Sequence, residues 1–160
     1  MNLLDKITFL KARVDKVILY SHAGLENYFA PLYEWKEQYK KFIDWGVDLV
    51  IGCHPHVPQG VERYNNGFIF YSLGNFFFDY AESHPSFSVI LSFERDEISY
   101  EIVNHEVKNG ALEIIKDPEK IANIERLNAL MDDEAYMNRM YSETFKTLYF
   151  DTLNTINYRY

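Results

Sequence analysis

The sequence predicts an α/β chain of the α+β kind, a few strands and helices followed by a helical tail. Three observations predict it. Strand-like and helix-like runs alternate between Val17 and Ile51. Two long alternating runs, Phe87–Phe93 and Ile98–Val107, face each other across the polar turn Glu94-Arg95-Asp96-Glu97. Beyond Asp117-Pro118-Glu119, apolar residues recur at helical spacing.

Taken in order, Leu3, Ile7, Leu10 and Val14 recur every three to four residues, which predicts a short amphipathic helix. Val17-Ile18-Leu19-Tyr20-Ser21 reads as a strand ending at His22, and Ser21 to Leu32 reads as a loop over that strand end. Trp35, Tyr39, Phe42 and Ile43 share one face of a helix from about Tyr33 to Trp45, with Gly46 as its C-terminal stop. Asp48–Ile51 is short and wholly apolar after its first residue, the pattern of a buried strand. This strand–loop–helix–strand order is a βαβ unit, so the two strands should lie parallel and adjacent. The turn Asn65-Asn66-Gly67 introduces Phe68-Ile69-Phe70-Tyr71, which closes at the small-residue loop Ser72-Leu73-Gly74-Asn75. The hairpin follows, with a third short run at Ala111–Ile115. In the tail, Ile121, Ile124, Leu127 and Leu130-Met131 form one helical stripe, and a further helix covers about Glu134 to Leu153. The expected division is a body over residues 1–116 and a helical tail over residues 117–160 packed upon it.

At 160 residues, with 48% hydrophobic and 17% aromatic side chains, the chain has the composition of a packed domain or of part of a larger one. A net charge of −8 argues against a nucleic-acid partner, whose phosphates call for a basic face. It does not exclude a phosphate-containing substrate, because bound divalent cations reverse the local potential. One cysteine excludes an intrachain disulfide framework. No apolar run approaches a membrane span, and Met1–Lys6 lacks the shape of a signal peptide, so the chain reads as soluble and cytoplasmic as written.

Chemistry concentrates in Gly52-Cys53-His54-Pro55-His56-Val57, at the end of the second buried run, and in His22, at the end of the first. α/β folds place ligand sites at strand ends, and convergent imidazoles form a ligand set for Zn, Mn or Fe. Pro55 stiffens the backbone between two of them. The plainer alternative is that these histidines cap strands and bond to nearby carbonyls. Cys53 is adjacent, but neighbours along an extended chain face opposite ways, so it is expected to point away from His54 as a buried thiol. Phe76-Phe77-Phe78 reads as core or pocket wall, and His84 and His105 receive no role. Glu26, Glu62 and Asp79 are candidate carboxylates for acid–base or supporting work, Glu26 foremost because it lies so near His22.

Three blocks carry a resemblance. They are Ser21-His22-Ala23-Gly24-Leu25-Glu26-Asn27-Tyr28, then Asp44 to Val57 with Gln59 and Glu62, then Phe70-Tyr71-Ser72-Leu73-Gly74-Asn75-Phe76-Phe77-Phe78-Asp79. Together they resemble the bacterial capsule-synthesis family of the CapA (poly-γ-glutamate biosynthesis) type, within the calcineurin-like metallophosphoesterase superfamily. The resemblance covers about Val17 to Tyr80. It implies part of a two-sheet, metallophosphoesterase-like sandwich flanked by helices, with a two-metal site at the strand ends. By that resemblance His22, His54 and His56 are metal ligands, while Glu26 and Asn75 are catalytic-pocket residues. It also implies a divalent metal cofactor (Mn, Zn or Fe) and work at the cell envelope on a polymer or phosphate-containing substrate.

The superfamily's Asp-x-His, Gly-Asp and Asn-His elements are absent ahead of Val17. The expectation is therefore one side of a metal cage, with self-association or a second chain supplying the rest. A non-catalytic module that binds a polymer or a protein is the alternative, and a stand-alone mononuclear metal protein is a third reading.

Overall fold

The computed structural model describes residues 2–77, 84–95 and 97–157, the last helix beyond residue 146 by its backbone alone. Helix α1 (Leu3–Lys11) opens on a capping box in which Asn2 and Asp5 exchange side-chain-to-backbone hydrogen bonds. It ends three residues short of the expected Val14. Strand β1 (Ile18–His22) leads into α2 (Tyr33–Asp44), which stops at Gly46 with φ 105, a conformation open to glycine. Strand β2 (Leu49–Cys53) then pairs parallel with β1, Ile18 opposite Leu49 and His22 opposite Cys53. A hairpin of β3 (Val61–Tyr64) and β4 (Gly67–Phe70) turns at Asn65-Asn66, and β4 lies parallel to β2. The four strands order as β1-β2-β4-β3. Strand β3 is an element the sequence patterning did not predict.

The second sheet is the expected antiparallel hairpin with a third strand: β5 (Ser86–Glu94), β6 (Glu97–Lys108) and β7 (Ala111–Ile114), in that order. The tail forms α3 (Ile124–Met131), capped by the Asn123 side chain, and α4 (Glu134–Asn157). Ile121 precedes α3 and is exposed, so the helix begins at Ile124, three residues later than the stripe suggests. The result is a mixed α/β fold, with two sheets and four helices among the described residues.

Alternation along each strand distributes the core into two layers. On one face Val50, Ile69 and Tyr71 pack on Tyr39, Phe42 and Ile43 of α2 and on Ile7 of α1. On the other, Leu49, Ile51, Val61 and Phe70 meet Phe87, with Val89, Tyr100 and Ile102 of the second sheet against them. Tyr100 sets its ring edge-on to both Phe68 and Phe70. This sandwich covers β2 and β4 but stops before β1. Ile18 and Tyr20, which share a face with Leu49 and Ile51 by register, are 46% and 66% exposed.

The tail docks through polar groups that close off open backbone. Asn128 of α3 accepts the Val61 N–H of β3 at 2.8 Å, and the Tyr136 and Tyr141 hydroxyls of α4 accept the N–H groups of Phe29 and Tyr33 at 2.9 Å each. Among the described residues, no helix is long and apolar enough to cross a membrane.

Candidate functional site

Two loops meet where β1 and β2 end. The N–H of Ala23 donates to the Cys53 carbonyl (3.0 Å), and that of Asn27 to the Pro55 carbonyl (2.8 Å). β2 itself sits close because Gly52 has no side chain; a Cβ there would run into the Tyr71 carbonyl. Gly52 is thus required by strand packing.

Register brings the first pair together. His22 lies opposite Cys53 and partners in a parallel pair share a face, so Cys53 Sγ is 3.3 Å from His22 Nδ1. Cys53, expected as a buried thiol facing away from His54, is only half-buried and meets the His22 ring at the nitrogen that His54 does not touch. Strand alternation ends at His54, which leaves the strand with φ 104. The His54 ring folds back onto the same partner, its Nδ1 3.2 Å from His22 Nε2, with ring centroids 4.9 Å apart. Burial pushes the Cys53 thiol up from its ordinary pKa, so the sulfur is a neutral neighbour to the imidazole.

His56 follows with φ 63, its ring centroid 6.1 Å from that of His54. Its Nδ1 is 2.9 Å from Asn75 Oδ1. Asn75 is held in turn by its own N–H, which donates to Ser86 Oγ at 3.1 Å. Gly74, with φ 79, lets that loop close on Ser86, whose side chain a Cβ at residue 74 would strike. Glu26 Oε1 lies 3.9 Å from His54 Nε2. The five residues singled out from sequence thus form one cluster at one sheet edge.

The partners suggest a tautomer for each ring. A proton on His22 Nδ1 points at Cys53 Sγ, one on His54 Nε2 points at Glu26, and one on His56 Nδ1 points at Asn75. In that arrangement the lone pairs of His22 Nε2 and His54 Nδ1 converge. Their 3.2 Å separation is close to the roughly 3.3 Å between two imidazole nitrogens on a tetrahedral ion. The donor pair therefore fits one ion. With the opposite tautomer at one ring, the same distance serves a histidine–histidine hydrogen bond. Among the described residues, no group of three or more His, Cys, Asp or Glu side chains is gathered tightly enough to hold a metal by itself.

Non-glycine residues at positive φ are costly, on the order of 1–3 kcal/mol each, and gather at functional sites. Asn27, His54 and His56 all adopt such conformations around this one cluster. That signal is invisible in sequence, because nothing in a histidine announces a left-handed backbone.

Other candidates lie elsewhere. Glu62 accepts the Tyr71 hydroxyl at 2.7 Å and pairs with Lys40 at 3.2 Å, on the α2 side of the sheet. Burial, then the Glu62 carboxylate, push the Tyr71 hydroxyl far above its ordinary pKa. His105 is buried against Ser88 Oγ, and the His84 ring stands edge-on to Phe29. Phe76 and Phe77 are exposed, contrary to a core reading. Phe78 and Asp79 fall outside the described residues.

Such a sheet, with clustered imidazoles at the parallel strand ends, defines an α/β chain with a candidate site at its strand ends. The sequence profile of the family described as bacterial capsule synthesis protein PGA_cap matches residues 1–80, and the chain belongs to that family. Over 83 residues it is 36% identical to the capsule biosynthesis protein CapA of Bacillus anthracis, covering 52% of this chain and 20% of that protein. Over 90 residues it is 36% identical to the PGA biosynthesis protein CapA of Bacillus subtilis strain 168, covering 56% of this chain and 24% of that one. An uncharacterized protein of Sinorhizobium fredii is 52% identical over 40 residues, 25% of this chain and 9% of its own length. The alignments with the two CapA proteins thus take in only 20% and 24% of those relatives.

Proposed function

We propose that this chain supplies one side of a metal-dependent, phosphoesterase-type hydrolytic site in capsule biosynthesis, acting on a cell-envelope polymer or a phosphate-containing substrate. The observation that carries the reading is the converging nitrogen pair of His22 and His54, held on a strained backbone. His22 and His54 would hold a Zn, Mn or Fe ion, and His56 would stand ready for a second. A bound ion supplies a Lewis acid and a water of lowered pKa. Glu26 and Asn75 orient the His54 and His56 rings, as supporting partners of metal ligands do. The remaining ligands come from a complementary segment laid along β1, whose outer edge has no strand beside it among the described residues and whose Ile18 and Tyr20 are bare.

Metal content and hydrolysis of bis(p-nitrophenyl) phosphate test this together. The expected result is Zn or Mn uptake that depends on His22 and His54, with no turnover by this chain alone. Two tightly bound metals with turnover would overturn the one-sided reading. The second reading, a non-catalytic module binding a polymer or a protein, draws on the same bare face of β1 and on the exposed Leu3, Leu4, Phe9 and Leu10 of α1. It is favoured if no metal is taken up.

A further inference from the structure

The histidine cluster leaves unused a cavity of about 620 Å³ where the tail meets the strand-end loops. One wall is Phe29, Pro58, His84 and Pro85; the other is the segment 119–123, α3 and the first turns of α4. Most of it lies beyond residues 1–80, outside the part that defines the family. Its volume falls within the roughly 300–1,000 Å³ of small-molecule clefts.

The lining has a definite chemistry. Leu127, Leu130 and Tyr136 join Phe29 in an apolar surface, and Lys120, Arg126 and Arg139 bring cationic groups to it. Of the lining cations, Lys120 is held by Asp117 at 3.9 Å. Among the described residues, Arg126 and Arg139 have no carboxylate within ion-pair distance. Arg139 instead lies over the Tyr136 ring, 5.3 Å from its centroid. Guanidinium groups at the edge of an apolar cleft are suited to planar, bidentate recognition of an anionic head.

We propose that this cavity binds a small organic anion, its carboxylate or phosphate head at Arg126 and Arg139 and its apolar body on Phe29, Leu127 and Leu130. Glu106 and Glu119 also line the cavity. They repel a ligand that is anionic along its whole length, so the site prefers a single head on an apolar body to an acidic polymer. The site stands independently of the hydrolytic reading.

Calorimetric titration of the full chain with hexyl phosphate, hexanoate, inorganic phosphate and hexanol tests it. Saturable binding is expected for hexyl phosphate or hexanoate, and whichever binds tighter identifies the head. Inorganic phosphate and hexanol should each bind about tenfold more weakly, since each lacks one half of the recognition. The Arg126→Gln/Arg139→Gln double variant should lose about tenfold in affinity, as expected for charge-assisted hydrogen bonds, with Arg63→Gln unchanged. Both arginines are exposed, so the double variant should fold, and methyl shifts at Leu127 and Leu130 on titration provide a second readout. No saturable binding of either anion, hexanol binding as tightly as hexanoate, or undiminished affinity in the double variant would overturn the proposal.

Discussion

Strands β1 and β2 lie side by side, parallel and in register, and differ in what covers them. Leu49 and Ile51 of β2 are buried under the second sheet, while their register neighbours Ile18 and Tyr20 of β1 are open to solvent. Ile18 and Leu49 are of similar hydrophobicity, so the difference between them lies in architecture: the sandwich closes over β2 and ends before β1. The candidate site straddles that boundary. His54 leaves the covered strand and His22 ends the uncovered one, so the cluster is built half on rigid core and half on an open edge.

The largest effects should come from breaking the covered side. Leu49→Ala is expected to cost about 2–5 kcal/mol, the range for a buried aliphatic truncated to alanine, measured by urea denaturation. Ile18→Ala in the adjacent register position should change stability by less than about 0.5–1 kcal/mol, as partly exposed sites do. Equal losses at the two positions would mean that β1 is covered in solution, by another copy or by another part of the fold. The next test sharpens that point. Ile18→Asp with Tyr20→Asp should cost less stability than Leu49→Ala, about 1–2 kcal/mol from the poor strand propensity of Asp, while lowering any self-association seen by sedimentation velocity.

A smaller effect separates backbone strain from ligand function. With φ at 104, His54 occupies a conformation that glycine adopts without penalty. His54→Gly should therefore hold or raise the stability of the metal-free chain, by up to about 1 kcal/mol after glycine's entropic cost, while weakening metal uptake. A large loss of stability would show that the ring itself holds the two loops together.

The smallest effect lies away from the site. Burial pushes the His105 imidazole below its ordinary pKa of 6.5. Above that pH both folded and unfolded chains hold it neutral, and its contribution to stability is complete. As pH falls through 6.5, the unfolded chain takes up the proton first, and stability declines until the lower folded pKa is reached. His105→Gln should flatten the stability–pH curve in that window, read from denaturation midpoints between neutral pH and pH 5.

Much of this was legible in the residues. The helices declared themselves by apolar spacing, α2 by its stop at Gly46, and the β5–β6 hairpin by alternation around a polar turn. The parallel pairing of β1 and β2 followed from the βαβ order, and it placed His22 and the His54/His56 pair at one edge. Strand β3 was missed because it is four residues long with only Val61 fully buried, so no alternation stands out. The Cys53–His22 contact depends on inter-strand register, and the fold-back of His54 on a backbone conformation that side-chain identity does not encode. The bare face of β1 was equally hidden, because burial there is decided by how far the second sheet extends and not by Ile18 or Tyr20 themselves.

His22 and His54 are proposed to share one ion across the boundary between β1 and β2. Zinc titration of the purified chain, wild type beside His22→Ala, His54→Ala and His84→Ala, tests it most directly. Weak, saturable uptake is expected of the wild type and of His84→Ala, lost in both His22→Ala and His54→Ala. No uptake by the wild type, or uptake indifferent to those two substitutions, would contradict it.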